Sequence, residues 1–331
     1  MHLVIPYASA LAEPARLALA TLQLPHLERL LGRLTEVPAE AGAGTTGSDA
    51  PDEYSLSLPV ERVVAALRGW PVEDGRLPFA AALARADGIA VDAEAGAAWG
   101  LLTPVCWRVG NNDVTLADPA QLDLGEDESR ALHAALRPLF EDLGWTFAWG
   151  APDRWYAAHP SLADTPTASL DRAIGRGVDL WLNHHPALRA VRRLQSEVQM
   201  VLYTHPVNDA REARGLAPVN SFWLSGTGPA RMAASPLPEG VAIDDRLRAP
   251  ALADDWAAWA EAWAALDAGP IQALLDASKN DTPAAHDAAT APTLTLCGER
   301  TARRFALAPR PWWRALVGPS RRAAAPVLES L

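Results

Sequence analysis

Lysine is nearly missing from this chain: Lys279 stands alone among 29 basic residues. With alanine abundant, that bias reads as the composition of a GC-rich bacterial genome and not as a functional device. Cysteine is almost as scarce. Cys106 and Cys297 are isolated, so their spacing builds neither a zinc motif nor a disulfide framework. Two cysteines in 331 residues fit a reducing cytoplasm. No apolar run approaches the ~18 residues that a membrane span needs. The opening MHLVIPYASA has no basic stretch before its short apolar run and does not read as a secretion signal. Missing too are G-x-G-x-x-G, the phosphate-loop lysine motif, H-E-x-x-H, G-x-S-x-G and C-x-x-C. A net charge of −11 argues against gripping nucleic acid or an anionic membrane. The expectation is a cytoplasmic protein with neither as a partner.

What remains is ample for a large core: 49% of residues are apolar, and tryptophan outnumbers phenylalanine and tyrosine together. His2 to Ala8 reads as a buried strand, and a helical pattern follows from Glu13 to Leu34, interrupted by Pro25. Glu40 to Asp52 is a small, polar surface loop. Ser57 to Gly69 reads as a helix with Ser57 at its cap and Pro59 in its first turn. Ala98 to Val109 and Asp113 to Ala117 form a hairpin around Gly110-Asn111-Asn112. Helices are expected over Glu126–Leu143 and Leu188–Tyr203, and a strand pair over Trp145–Trp149 and Arg154–Ala158. Asn220 to Ser225 and Thr293 to Cys297 read as strands, with Arg303 to Leu307 as a further candidate. Trp256, Trp259 and Trp263 recur at helical spacing and read as core. Strands alternating with helices indicate an α/β protein, and the hairpin-rich middle suggests an inserted α+β subdomain. The boundaries drawn are 1–97 and 219–331 for the core lobe and 98–218 for the insert.

Candidate chemistry concentrates between Thr204 and Gly228. His205, Asn208, Arg211 and Arg214 come first, then Asn220, then a strand ending in Gly226-Thr227-Gly228. Guanidinium forks suit phosphate or carboxylate, and a glycine turn after a strand can aim several N–H groups at one anion. An anion site for a phosphorylated small molecule follows. The alternative is structural: His205-Pro206 ends one helix, Asn208 caps the next, and Asn220 satisfies a turn. Elsewhere His184-His185 offers a metal ligand or a plain loop. Asp244-Asp245 and Asp254-Asp255 read as turn and helix-start carboxylates. From Gly298 onward seven arginines, Arg300 to Arg322, face Glu299 and Glu329, with Trp312 and Trp313 among them. That basic tail either docks an acidic partner or is a solvated face with snorkelling side chains.

MHLVIPYAS, RRLQSEVQMVLYTHPVND and PVNSFWLSGTG resemble the RpfE-type regulatory proteins of proteobacteria, over nearly the full chain. HPVNDAREARGLAPVN with Gly226 and Gly228 resembles the archaeal-type cofactor-independent phosphoglycerate mutases of the alkaline-phosphatase superfamily. LPHLERLLGRL, GWPVEDGRLPFAAAL, DRWYAAH and TLTLCGERTA echo that family in the same order. The resemblance implies an alkaline-phosphatase-like three-layer core sheet flanked by helices, carrying the smaller insert. It also implies two divalent ions, Mn or Mg, activating a serine. Here the first strand carries Ile5-Pro6-Tyr7-Ala8 in place of an Asp-Gly metal motif, and Gly298-Glu299 stands where Asp-His is expected. Ser55 or Ser57 lies near the nucleophile's place without the metal-binding neighbours, and Ser225 replaces the usual arginine.

The expectation is thus a mutase-like regulatory protein without metals or other cofactors, binding a phosphorylated metabolite or a partner through His205, Asn208, Arg211, Arg214, Asn220, Gly226, Thr227 and Gly228. Two alternatives stand beside it. One is an active metal-dependent mutase or phosphatase whose catalytic candidates are Ser55, Ser57 and Glu299. The other is an interaction module using the Arg/Trp tail.

Overall fold

A computed structural model describes residues 1–38, 54–91, 98–110, 113–182, 185–280, 291–307 and 321–331. The loop expected at Glu40–Asp52, the turn residues Asn111 and Asn112, His184, and Arg310 to Arg314 lie outside the described residues. In chain order the strands are β1 (His2–Ile5), β2 (Thr35–Val37), β3 (Ala98–Val105), β4 (Trp107–Val109), β5 (Val114–Leu116), β6 (Thr146–Ala151), β7 (Arg154–Ala158), β8 (Ser221–Pro229), β9 (Val241–Ile243), β10 (Thr293–Cys297) and β11 (Ala302–Ala306). The chain divides into two compact units, one drawn from Met1–Tyr54, Leu58–Gly69 and Pro236–Leu331, the other from Ser55–Ser57 and Trp70–Ser235.

The first unit is built on a mixed sheet in the order β2-β11-β10-β1-β9. β1 lies parallel to both β10 and β9, while β11 runs antiparallel to β10 and β2. Alternation along the strands sorts the side chains. Leu3, Ile5, Leu294 and Leu296 enter one apolar cluster, and Val4 and Cys297 another. The first cluster takes the helices Pro25–Arg33, Trp256–Leu266 and Gln272–Asn280. The second takes the helix Pro59–Leu67. Helices therefore flank the sheet, as the α/β pattern requires.

Pro25 divides the expected first helix into Glu13–Thr21 and Pro25–Arg33. The second piece begins against a residue far along the chain. After Trp256–Leu266 the helix widens into a π-turn, Asp267–Ile271, at Pro270, which has no amide hydrogen to donate. Buried Asp267 accepts the N–H groups of Leu27 at 2.7 Å and His26 at 3.1 Å, and contacts His26 Nδ1 at 2.9 Å. It thereby caps the Pro25–Arg33 helix from outside that helix. Trp259 and Trp263 are core, as expected, packed edge to face with ring centres 6.1 Å apart.

The second unit holds an antiparallel sheet in the order β6-β7-β3-β8. The helices Glu126–Glu141 and Leu188–Tyr203 pack on it through Leu136, Phe140, Leu194 and Val198, against Leu102, Trp155 and Phe222. Ser129 Oγ receives the indole N–H groups of Trp149 (3.0 Å) and Trp155 (2.9 Å) and donates to the carbonyl of Pro152. Asp87 takes a bidentate fork from Arg154 and the hydroxyl of buried Tyr156. β4 and β5 form the expected two-stranded ribbon.

The second unit is larger than the 98–218 insert. The helix Phe79–Ala86 and the strand β8 both belong to it, because the helix start is seated on β8 at two glycines. A Cβ on Gly226 would lie 3.0 Å from the Ala80 nitrogen, and one on Gly228 would lie 3.0 Å from Pro78 Cβ.

Candidate functional site

The helix Leu188–Tyr203 ends at Thr204, and a second helix, Pro206–Ala213, starts at once. His205 caps it: its Nδ1 receives the Val207 N–H at 3.2 Å, and Pro206 fills the first helical position. The cap is therefore His205 and not Asn208. Asn208 is buried, with its amide donating 2.8 Å bonds to the carbonyls of Leu202 and Val219 while its oxygen receives the Val219 N–H at 2.9 Å. It ties the following loop to the end of the long helix.

The two arginines converge on one carboxylate. Arg211 is fully buried, and its guanidinium donates to Glu128, to the Leu122 carbonyl and, at 2.9 Å, to the Ala217 carbonyl. Arg214 donates to the other oxygen of Glu128 while remaining half in solvent. Burial would push the Glu128 carboxyl up, but hydrogen bonds from Arg214 and Arg211 outweigh it and hold it below the usual range. The guanidinium of Arg211 thus has its partners within the fold, and the anion it meets is Glu128.

The rest of the segment is likewise committed to the fold. Asn220 pairs its carboxamide with both backbone groups of Trp107, at 2.8 and 2.9 Å. Gly226-Thr227-Gly228 is not a turn after a strand. It lies inside β8, where Gly226, at φ +63°, sits beside a register shift against β3. Buried Thr227 contacts Thr167 Oγ1 at 3.0 Å and donates to the Thr165 carbonyl at 2.6 Å. The glycines make room for Pro78 to Ala80; they do not present a nest of donors. The eight expected ligand residues are thus not gathered around one anion.

Two of them, Asn208 and Asn220, do line a groove of about 940 Å³. Its apolar surface comes from Trp107, Val109, Leu202, Tyr203 and Pro218, and its charges from Asp209 and Glu212. Tyr203 and Val109 are each 83% exposed. Among the described residues, no arginine or lysine lines it. The sequence carries one signal for the exposed apolar residues. The buried stripe of the long helix runs through Leu188, Val191, Leu194, Val198 and Leu202, which leaves Met200 and Tyr203 as large apolar residues outside it.

The remaining candidates have structural partners. Ser57 does not cap the Pro59–Leu67 helix; Glu61 accepts the Leu58 N–H there. Ser57 Oγ instead receives the Gly75 N–H at 2.7 Å, within a buried clasp closed by Asp74. Ser55 stands half-buried beside it. Glu299 accepts the Leu11 N–H at 2.9 Å. Asp255 caps the Trp256–Leu266 helix, as a helix-start carboxylate should. Burial pushes both thiols, Cys106 and Cys297, above the ordinary cysteine value. In the basic tail Arg303 and Arg322 pair with Glu36 and lie over Phe305. Among the described residues, no three His, Cys, Asp or Glu side chains are arranged to hold a metal ion, and no helix is long and apolar enough to cross a membrane.

No protein-family model and no curated protein matches the chain. Among solved structures it is similar to the cofactor-independent phosphoglycerate mutase from Thermoplasma acidophilum DSM 1728. That match has 13% identity, covers 92% of this chain and 88% of that one, and has a TM-score of 0.38. It is also similar to the PH0037 protein from Pyrococcus horikoshii, at 10% identity over 92% and 87% of the two chains, with a TM-score of 0.42.

Proposed function

We propose that this chain is a regulatory recognition protein on a phosphoglycerate-mutase-like, alkaline-phosphatase-type scaffold, acting by binding and not by phosphoryl transfer. One observation carries the proposal: the strand ends where the sequence resemblance sets metal ligands are occupied by other chemistry. β1 runs into Ile5-Pro6-Tyr7-Ala8, and β10 into Gly298-Glu299. Leu331 lies directly on Gly298, where an added Cβ would come within 2.4 Å of the Leu331 Cβ. Two-metal catalysis needs carboxylates and imidazoles holding ions about 4 Å apart, and these side chains do not supply them. Of the two ligand classes, a partner is supported over a phosphorylated metabolite. Arg211 and Arg214 share Glu128, and among the described residues the charges lining the groove are the carboxylates of Asp209 and Glu212.

The test is turnover. Purified protein given manganese or magnesium with 3-phosphoglycerate, and separately with a chromogenic phosphomonoester, should form no product above the protein-free rate. Product formation that a chelator abolishes and added metal restores would sink the proposal.

A further inference from the structure

We propose that the groove between the β4–β5 ribbon and the Pro206–Ala213 helix docks an extended, basic segment of a partner protein, with arginine or lysine next to apolar residues. This rests on the chain being a recognition protein, and it names the surface and the chemistry of what is recognised.

The apolar half of the groove exposes residues that ordinarily hide. Tyr203 and Val109 both line the groove at 83% exposure, and Met200, one helical turn from Tyr203, is 73% exposed. Clustered exposed apolar residues rimmed by polar ones mark interaction surfaces. The charge half is complementary. Asp209 and Glu212 stand three residues apart on one helix face, both exposed, and neither makes an ion pair among the described residues. Several other carboxylates of this unit are paired, Glu128 with Arg211 and Arg214, Asp87 with Arg154, Glu126 with Arg130, and Glu197 with Arg193, whereas these two line a groove. Among the described residues, the groove therefore keeps two negative charges and no lining cation.

The backbone supplies a reason for an extended segment. Cys106 and Gly110 turn their hydrogen-bonding groups toward β5 and its turn, accepting from Ala117 N–H at 3.1 Å and donating to the Asp113 carbonyl at 2.8 Å. Strand alternation then turns Trp107 and Val109 the other way. At Trp107 that side is taken by the Asn220 carboxamide. Val109 also lines the groove, and among the described residues no side chain takes its outward backbone groups as Asn220 takes those of Trp107, so a peptide can add main-chain bonds there. Its cationic side chains then reach Asp209 and Glu212 while its apolar ones cover Tyr203 and Val109.

The experiment is selection of a displayed library of random 12-residue peptides on the full chain at about 0.15 M salt, near physiological ionic strength. It is repeated on the Asp209→Asn/Glu212→Gln variant and on Tyr203→Ala. These positions are exposed, so circular dichroism should show unchanged folding. The wild type should enrich peptides that combine Arg or Lys with apolar residues. Their affinity, read by fluorescence anisotropy, should fall about tenfold or more in the double variant and more steeply at low salt. Failure to enrich any sequence, enrichment of acidic sequences, or equal affinity for the double variant would overturn the docking site. So would a wild-type dimer, seen by sedimentation, that the double variant dissolves, because the occupant would then be a second copy. None of these outcomes touches the turnover test, so the two proposals fail separately.

Discussion

Arg211 and Arg214 fork one carboxylate, yet their replacement should have very different consequences. Arg211→Ala removes a fully buried guanidinium that serves Glu128 and two carbonyls, Leu122 and Ala217. Each buried carbonyl left without its donor costs about 1–3 kcal/mol, and breaking a buried ion pair by removing one partner costs about 3–5 kcal/mol in all. The Arg214 side chain is 54% exposed, so Arg214→Ala should cost at most about 1 kcal/mol, and less as salt rises. Urea unfolding followed by circular dichroism, at low and high salt, reads both. The expected pattern is a large, salt-insensitive loss for Arg211→Ala and a small, salt-sensitive one for Arg214→Ala. An Arg211→Ala protein within about 1 kcal/mol of wild type would refute the reasoning, since a guanidinium dispensable to the fold would be free to serve a ligand.

Asp267→Ala should destabilise the first unit by about 1–2 kcal/mol, seen in thermal unfolding, because the Pro25–Arg33 helix loses its only side-chain cap among the described residues. Asp267→Asn should recover part of that loss, and equal behaviour of the two variants would count against capping. Acid should weaken the second unit well above the carboxylate range. Burial, then the positive charge of Arg137, lowers His133 to about 4 where it stacks on Phe147. The unfolded chain takes up that proton near pH 6.5 and the folded one only near 4, so stability present above about pH 6.5 is lost as pH falls toward 4. His133→Phe should flatten this slope in urea unfolding between those values, and an unchanged slope would remove His133 from the account.

Much of the fold was legible because burial imposes period. The Leu188–Tyr203 helix, the β6–β7 pair, β10 and the tryptophan stripe all stand where spacing set them. Elements fixed by a distant partner were not legible. Asp267, the first residue of the π-turn, caps a helix 240 residues away from it. The glycines of β8 read as a turn because glycine is the ordinary turn residue, whereas here the need is close approach to Pro78 and Ala80. Local spacing carries no trace of that contact.

The candidate segment turns on one physical fact: a sequence shows which groups can bind, but not which are already bound. The nearest carboxylate to Arg211 lies 83 residues earlier in the chain, and once it is counted the segment's cationic character is spent inside the fold. What that pairing leaves uncompensated is the reverse charge, on Asp209 and Glu212, along a groove lined with exposed aromatic and aliphatic side chains. Ligand sign is set by the residual charge after internal pairing, not by the arginines counted along the chain. The segment singled out for its guanidinium groups thus spends them inside the fold on Glu128, and its two remaining carboxylates, Asp209 and Glu212, line the groove proposed to dock a partner.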